Sequence, residues 1–190
     1  MEIKKSKENR KTRYTKMVLR ESLMELMKTK PISSISIKEI CACADISRST
    51  FYTHYKDQHD LLKKTEEDTL AFIDNILTRY SFYKRGTRES LQMLEEILKY
   101  IADNNNSIYV LFSENGDVNF QKAIFSSMYQ KNVMKSLTDK LPDEQTRQYY
   151  YLFIVTGSLG IIYHWIKNGM DKSITELAQM INRLTSQIAK

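Results

Sequence analysis

The side chains best suited to covalent or metal chemistry are few in this chain, and their spacing does not favour it. There are two cysteines, Cys41 and Cys43, and three histidines, His54, His59 and His164. They show no metal-ligand spacing, and there is no glycine-rich phosphate loop. Separated by one residue in a helical pattern, the two thiols diverge around the helix, so an intrachain bridge is geometrically poor and both are read as reduced. Cys41 reads as small core filler and His59 as a solvated helix residue. An enzyme is therefore the poorest of the function classes, and no metal or cofactor is expected.

A different chemistry lies at Arg48. Its guanidinium offers two parallel N–H donors, the fork that matches the O6 and N7 edge of a guanine in the major groove. Ser49 and Thr53, one turn apart, can reach base edges or a thymine methyl. The charge distribution agrees. Residues 1 to 56 hold 13 Lys or Arg against 6 Asp or Glu, a balance of +7, whereas residues 57 to 190 hold 16 against 17, a balance of −1. The whole excess of a chain with net charge +6 thus sits in its first third. A basic head on a near-neutral body points to a polyanion partner, because neutralising phosphates drives nucleic-acid affinity.

The elements that must position Arg48 can be read from capping and periodicity. Val18, Ser22 and Leu26, with Leu19 and Leu23, form a stripe from about Lys11 to Lys28, with Pro31 marking its end. Ser36 and Glu39 form a capping box that starts a second helix at Ile37. That helix ends at Asp45, and a third restarts after Ser47, a good N-cap. Two short helices joined this tightly, anchored by Ile46, Phe51 and Tyr55, make a helix-turn-helix in which the second helix is free to enter a groove. Asp57 caps a fourth helix expected from Gln58 to about Tyr83.

Beyond it, two prolines and five glycines in 190 residues leave little punctuation for closely spaced strands. The spacing predicts helices from Arg88 to Ala102, from about Phe120 to Leu141, from Asp143 to Asn168 and from Ser173 onward. A polar cluster, Asp103 to Ser107, and a short apolar piece, Ile108 to Phe112, lie between the first two. Pro142 breaks one helix and opens the next. The fold class is all-α, with a helix-turn-helix head over residues 1–60 and a helical regulatory and dimerisation domain over residues 61–190. Gln148 to Ile166 carries no charged side chain, but its tyrosines, glycines and His164 fit a buried helix better than a membrane span. The N-terminus has no apolar stretch before Met17, so a cytosolic protein is expected.

The segment from Ser36 to Leu62, SIKEICACADISRSTFYTHYKDQHDLL, resembles the DNA-binding head of the TetR/AcrR family of transcriptional regulators. It carries the capped second helix, the tight turn, Ser47, the pair Phe51 and Tyr52, His54 and Tyr55, and the Leu61 and Leu62 start of the fourth helix in that family's order. The resemblance implies that Lys38, Thr50, Tyr52 and His54 join Arg48, Ser49 and Thr53 against DNA. Two positions depart from the pattern. Asp45 stands where many members have Gly, and Asp tolerates the left-handed turn better than most residues. Gln58 stands where a phosphate-contacting Lys is usual, leaving Lys56 and the amides of the fourth helix to compensate.

The resemblance also implies a homodimer on palindromic operator DNA, built by the last two helices. Gly157 and Gly160 allow close approach there, and Ile174, Leu177, Ile181, Leu184 and Ile188 form a stripe that wants a partner helix. Residues 61 to 190 carry 16 of the 20 aromatics. Tyr80, Tyr109, Phe112, Phe125, Tyr129, Phe153 and His164 are candidates to line a pocket for a small apolar or aromatic effector. GSLGIIYHWIKNGMDKS, from Gly157, resembles a branch that includes activators of dihydroxyacetone kinase operons, some of which answer to a protein. The leading expectation is a ligand-modulated repressor. The alternative is a regulatory protein whose body binds a protein partner.

Overall fold

The structure, a computed structural model, describes residues 9–80, 87–130 and 143–187. All regular structure among them is helical: α1 Arg10–Met27, a short 3-10 turn Ile32–Ser34, α2 Ile37–Ala44, α3 Arg48–His54, α4 Gln58–Arg79, α5 Arg88–Asp103, α6 Asn105–Leu111, α7 Val118–Gln130, α8 Glu144–Lys167 and α9 Ile174–Gln187. The expected helix positions at Phe82, Tyr83, Met134, Leu137, Leu141, Pro142 and Ile188 lie outside the described residues, as does the Tyr129 side chain.

Helix starts follow the polar residues that precede them. Asn9, Ser36, Ser47, Asp57, Thr87 and Asp143 each accept a bond from an amide in the helix they open. Ser36 and Glu39 complete the capping box reciprocally, with Glu39 N donating to Ser36 Oγ at 3.3 Å and Ser36 N donating to Glu39 Oε2 at 2.9 Å. Ser173 and Glu176 form a second one before α9.

One element departs from its expectation. The polar cluster at the end of α5 does not open a loop: Asn104 joins α5 directly to α6, so Ile108 to Leu111 is the end of a helix begun at Asn105, with Phe112 just beyond it. The asparagines make this joint possible. Asn104 Nδ2 donates to the Tyr100 carbonyl and Asn105 Nδ2 to the Ala102 carbonyl, both at 2.9 Å, which satisfies α5's orphan end groups from within the next helix.

The head core is Leu19, Leu23, Met24, Met27, Ile35, Ile40, Phe51 and Leu61, and it runs without a break into Val110, Leu111, Phe120 and Ile124 of α6 and α7. Packing therefore continues across residue 60 without a gap. At about 1.5 Å per residue α4 spans roughly 33 Å. It carries Leu61 and Leu62 in the head core and Ile76 and Leu77 in a cluster with Met93 and Ile154 of the body. An Arg20–Asp68 ion pair ties it to α1, and Arg79–Glu96, at 2.5 Å, ties its far end to α5. Asn115 Nδ2 donates to the Met27 carbonyl at 3.1 Å, bringing the α6–α7 loop onto the end of α1. Gly116 is needed in that loop, because a Cβ there would lie 2.2 Å from the Leu111 carbonyl oxygen.

Candidate functional site

The turn between α2 and α3 depends on one backbone conformation. Asp45 sits at φ 51°, ψ 43°, in the left-handed region, while Ile46 N donates to the Cys41 carbonyl at 3.0 Å and closes the end of α2. The chain then re-enters a helix at once. Ser47 Oγ accepts from Thr50 N at 3.2 Å and lies 2.9 Å from the hydroxyls of both Ser49 and Thr50. These short-range bonds hold the first turn of α3 in register.

α3 is divided sharply between its two faces. Phe51 is 0% exposed, and Tyr55 just beyond the helix is buried against it, their ring centroids 5.8 Å apart. Opposite them Arg48, Ser49, Tyr52 and Thr53 are exposed, with Thr50 and His54 half-buried at the margins. Thr53 Oγ1 donates back to the Ser49 carbonyl at 3.0 Å. Lys38 is exposed at the start of α2, Lys56 is exposed after α3, and Gln58 is half-buried at the first position of α4. None of the nine residues singled out in the head is buried, and Arg48 is the first residue of α3.

Lys64 was not singled out from sequence, and it is what joins α3 to α4. Its Nζ donates to the His54 carbonyl at 3.2 Å and to Asp60 Oδ2 at 3.0 Å, and it sits 5.1 Å from the centre of the Tyr55 ring. A cation at the C-terminal end of α3 also meets the favourable end of the helix dipole. Asp60 takes a further bond from Lys56 N at 3.0 Å, and these two contacts, the backbone one first, hold its carboxyl below the usual range. The i, i+4 spacing of Asp60 and Lys64 was the available signal, but nothing in it revealed the third partner on α3. Glu39 is tied in a similar way: Lys30 Nζ donates to it at 2.6 Å, and with Ser36 this lowers its pKa to about 2.

The thiols fall as the pattern suggests. Cys41 is buried in the head core, where desolvation pushes its pKa up, and Cys43 is exposed. Among the described residues no group of His, Cys, Asp and Glu has the arrangement of a metal site, and no helix is long and apolar enough to cross a membrane.

The body places its candidates differently. An apolar cavity of about 110 Å³ lies between α4, α5, α6, α7, α8 and α9, and of the six ligand candidates whose side chains are described only Phe112 lines it. Tyr80 donates to Glu96 Oε1 at 2.7 Å, Tyr109 stacks on Tyr163, Phe125 packs against Tyr151 and Val155, Phe153 is 62% exposed, and the exposed His164 bonds to Asn168. The lining of this cavity is aliphatic apart from Phe112 and the polar Ser90, Ser158, Asn182 and Thr185.

The α9 stripe is also redirected. Leu177 and Ile181 are each 1% exposed, buried against Leu98 and Ile101 of α5 in the same chain, with Ile174 partly buried beside them. A stripe at spacings of three and four demands a helix but does not say whose. Facing outward from α8 and α9 are Tyr149, Leu152, Phe153 and Leu184, together with open surface over Gly157 and Gly160.

The family model TetR_C_8, the C-terminal region of transcriptional regulators, matches residues 88–187. The chain belongs to the TetR family of transcriptional regulators. It is 31% identical over 101 residues to the transposon Tn10 TetC protein of Escherichia coli, covering 53% of this chain and 50% of that one. With the uncharacterized HTH-type transcriptional regulator YxbF of Bacillus subtilis strain 168 it shares 22% over 172 residues, 89% of this chain and 44% of that one. The chain thus spans about half the length of these curated TetR-like relatives. The dihydroxyacetone kinase operon activator DhaS has the same fold, with a TM-score of 0.60 over 92% of this chain and 96% of that one at 20% identity.

Proposed function

We propose that this TetR-family chain is a sequence-specific DNA-binding repressor that reads a palindromic operator as a homodimer and is released by a ligand in its helical body. The observation that carries the reading is the two-faced α3: Phe51 locks one side into the core while Arg48, Ser49, Tyr52 and Thr53 stay exposed on the other. A helix so held presents Arg48 to a guanine edge and Ser49 and Thr53 to neighbouring bases. Lys38, Lys56 and Tyr52 take phosphates. Thr50 and His54, at the margins of the face, position the backbone of the duplex. Asp57 already occupies the amide of Asp60, so a phosphate at the start of α4 uses the amides of Gln58 and His59.

The outward apolar side chains of α8 and α9, above all Leu152, Phe153 and Leu184, give the dimer its contact area, with Gly157 and Gly160 permitting close approach. A twofold axis there sets two α3 helices about 34–36 Å apart, one turn of DNA. Because α4 is packed into both the head and the body, a ligand that prefers one packing of α4 changes that spacing and with it DNA affinity.

The experiment is selection from a pool of random duplexes by the full-length chain, repeated across salt concentrations. The expected result is an enriched inverted repeat with half-sites about ten base pairs apart or a multiple of it. Retention of unselected sequence at every salt concentration would overturn the reading.

A further inference from the structure

Among the described residues, the lining of the body cavity carries no charge. Its walls come from Ile73 and Leu77 of α4, Met93 and Ile97 of α5, and Ile154 and Ile162 of α8, and no described Lys, Arg, His, Asp or Glu lines it. Ser90, Ser158, Asn182 and Thr185 are its polar members. Ser90 Oγ lies 2.8 Å from the Asn182 side chain and 2.8 Å from the Thr87 carbonyl, so these groups form one hydrogen-bonded corner. Asn182 Oδ1 accepts from the Ser90 hydroxyl, and the N–H donors of its amide belong to the same lining side chain. Thr185 is held to the backbone of its own helix, donating to the Ile181 carbonyl at 2.9 Å.

Resting on the reading of the body as the sensing half, we infer that this cavity takes a neutral, compact, largely aliphatic molecule carrying a single hydroxyl or carbonyl group, which docks on the Ser90–Asn182 corner. Size sets the upper limit. At about 110 Å³ the space is smaller than a protein cavity of roughly 150 Å³ that accepts benzene, so the occupant has about six non-hydrogen atoms or packs more by moving the walls. Chemistry sets the rest. A carboxylate, phosphate or ammonium would lose water here with no opposite charge among the described lining residues to meet it, a cost of several kcal/mol. An alcohol loses far less, because one amide end satisfies its oxygen. Ile73 and Leu77 lie on α4, so the occupant touches the helix that also enters the head core.

The test is calorimetric titration of the full-length chain with 1-pentanol, pentanoate and pentylammonium, three probes of equal carbon number. Saturable binding of 1-pentanol is expected, with both ions weaker by about tenfold or more at neutral pH. Leu94→Trp, which places a large side chain in the cavity wall, is expected to abolish 1-pentanol binding while helix content by circular dichroism stays constant. Should that variant not fold, Asn182→Leu is expected to erase the preference for 1-pentanol over cyclopentane. Pentanoate binding as tightly as 1-pentanol, no saturable 1-pentanol binding, or a preference untouched by Asn182→Leu would each overturn the inference. Operator affinity measured without any probe separates the two levels: its absence sinks the regulator reading and leaves the cavity result standing, and the converse holds equally.

Discussion

Helix starts in the head are pinned by side chains bonded to the first turn, at Asn9, Ser36, Ser47 and Asp57, and its largest core side chains are fully buried. The body has caps too, but α6 has no side-chain cap bond and the helices around it border an apolar cavity. The contrast follows from what each half must do. A surface that sets several side chains against a duplex has to hold them in register, and bonds between near neighbours in sequence do that at low entropic cost. On the proposed reading, a half that accepts a guest keeps space for it.

The comparison makes predictions that can break it. Phe51→Ala removes the strut behind the exposed face of α3, and denaturant unfolding should show a loss of about 3–5 kcal/mol. A small loss there would mean that the head is no tighter than the body. Gly116→Ala should cost about 1–3 kcal/mol through the forced movement at the Leu111 carbonyl, and should weaken the Asn115 contact to Met27. Hydrogen exchange at the end of α1 reads that second effect. Ser36→Ala removes one half of the capping box, and a loss of about 1 kcal/mol is expected, with protection lost mainly in α2.

The smallest effect sharpens the contrast at the seam. Glu66 on α4 lines a groove with His59, Lys63, Glu67 and Asp117, and its Oε1 is buried with no hydrogen-bond partner among the described residues. Burial, then Asp117 and Glu67, raise its pKa to about 7. Between its ordinary value of 4.5 and about 7 the folded state holds the proton more often than the unfolded one, so stability falls as pH rises through that window. Glu66→Gln should therefore melt higher than the parent above pH 7 and lose that advantage below pH 4.5. A pH-independent difference in melting temperature would refute the assignment.

What could be read from sequence divides along the same line. Ser36, Glu39, Ser47 and Asp57 reveal the head because each acts on an amide within four residues, and local chemistry is visible in a string of letters. Asp45 shows its left-handed turn for the same reason. Lys64 stayed hidden, because its contact to the His54 carbonyl joins two elements across a bend. In the body, Leu177 and Ile181 announced an apolar face but not that α5 of the same chain would cover it. The cavity was hidden for the deepest reason: a void is set by residues from six helices far apart in sequence, and Ile73 or Met93 looks the same whether it fills a core or borders a hole. The short joint at Asn104 was missed because asparagine amides, usually a loop signal, here bond back to the end of α5 while the chain turns directly into α6.

The most direct test is the affinity of the parent chain and its Arg48→Ala variant for the selected duplex and for a scrambled duplex of equal length, at one salt concentration. The account predicts a loss of about 1–3 kcal/mol, roughly tenfold to a hundredfold, on the selected duplex, little change on the scrambled one and an unaltered melting temperature. Equal affinity of parent and variant for the selected duplex would contradict it.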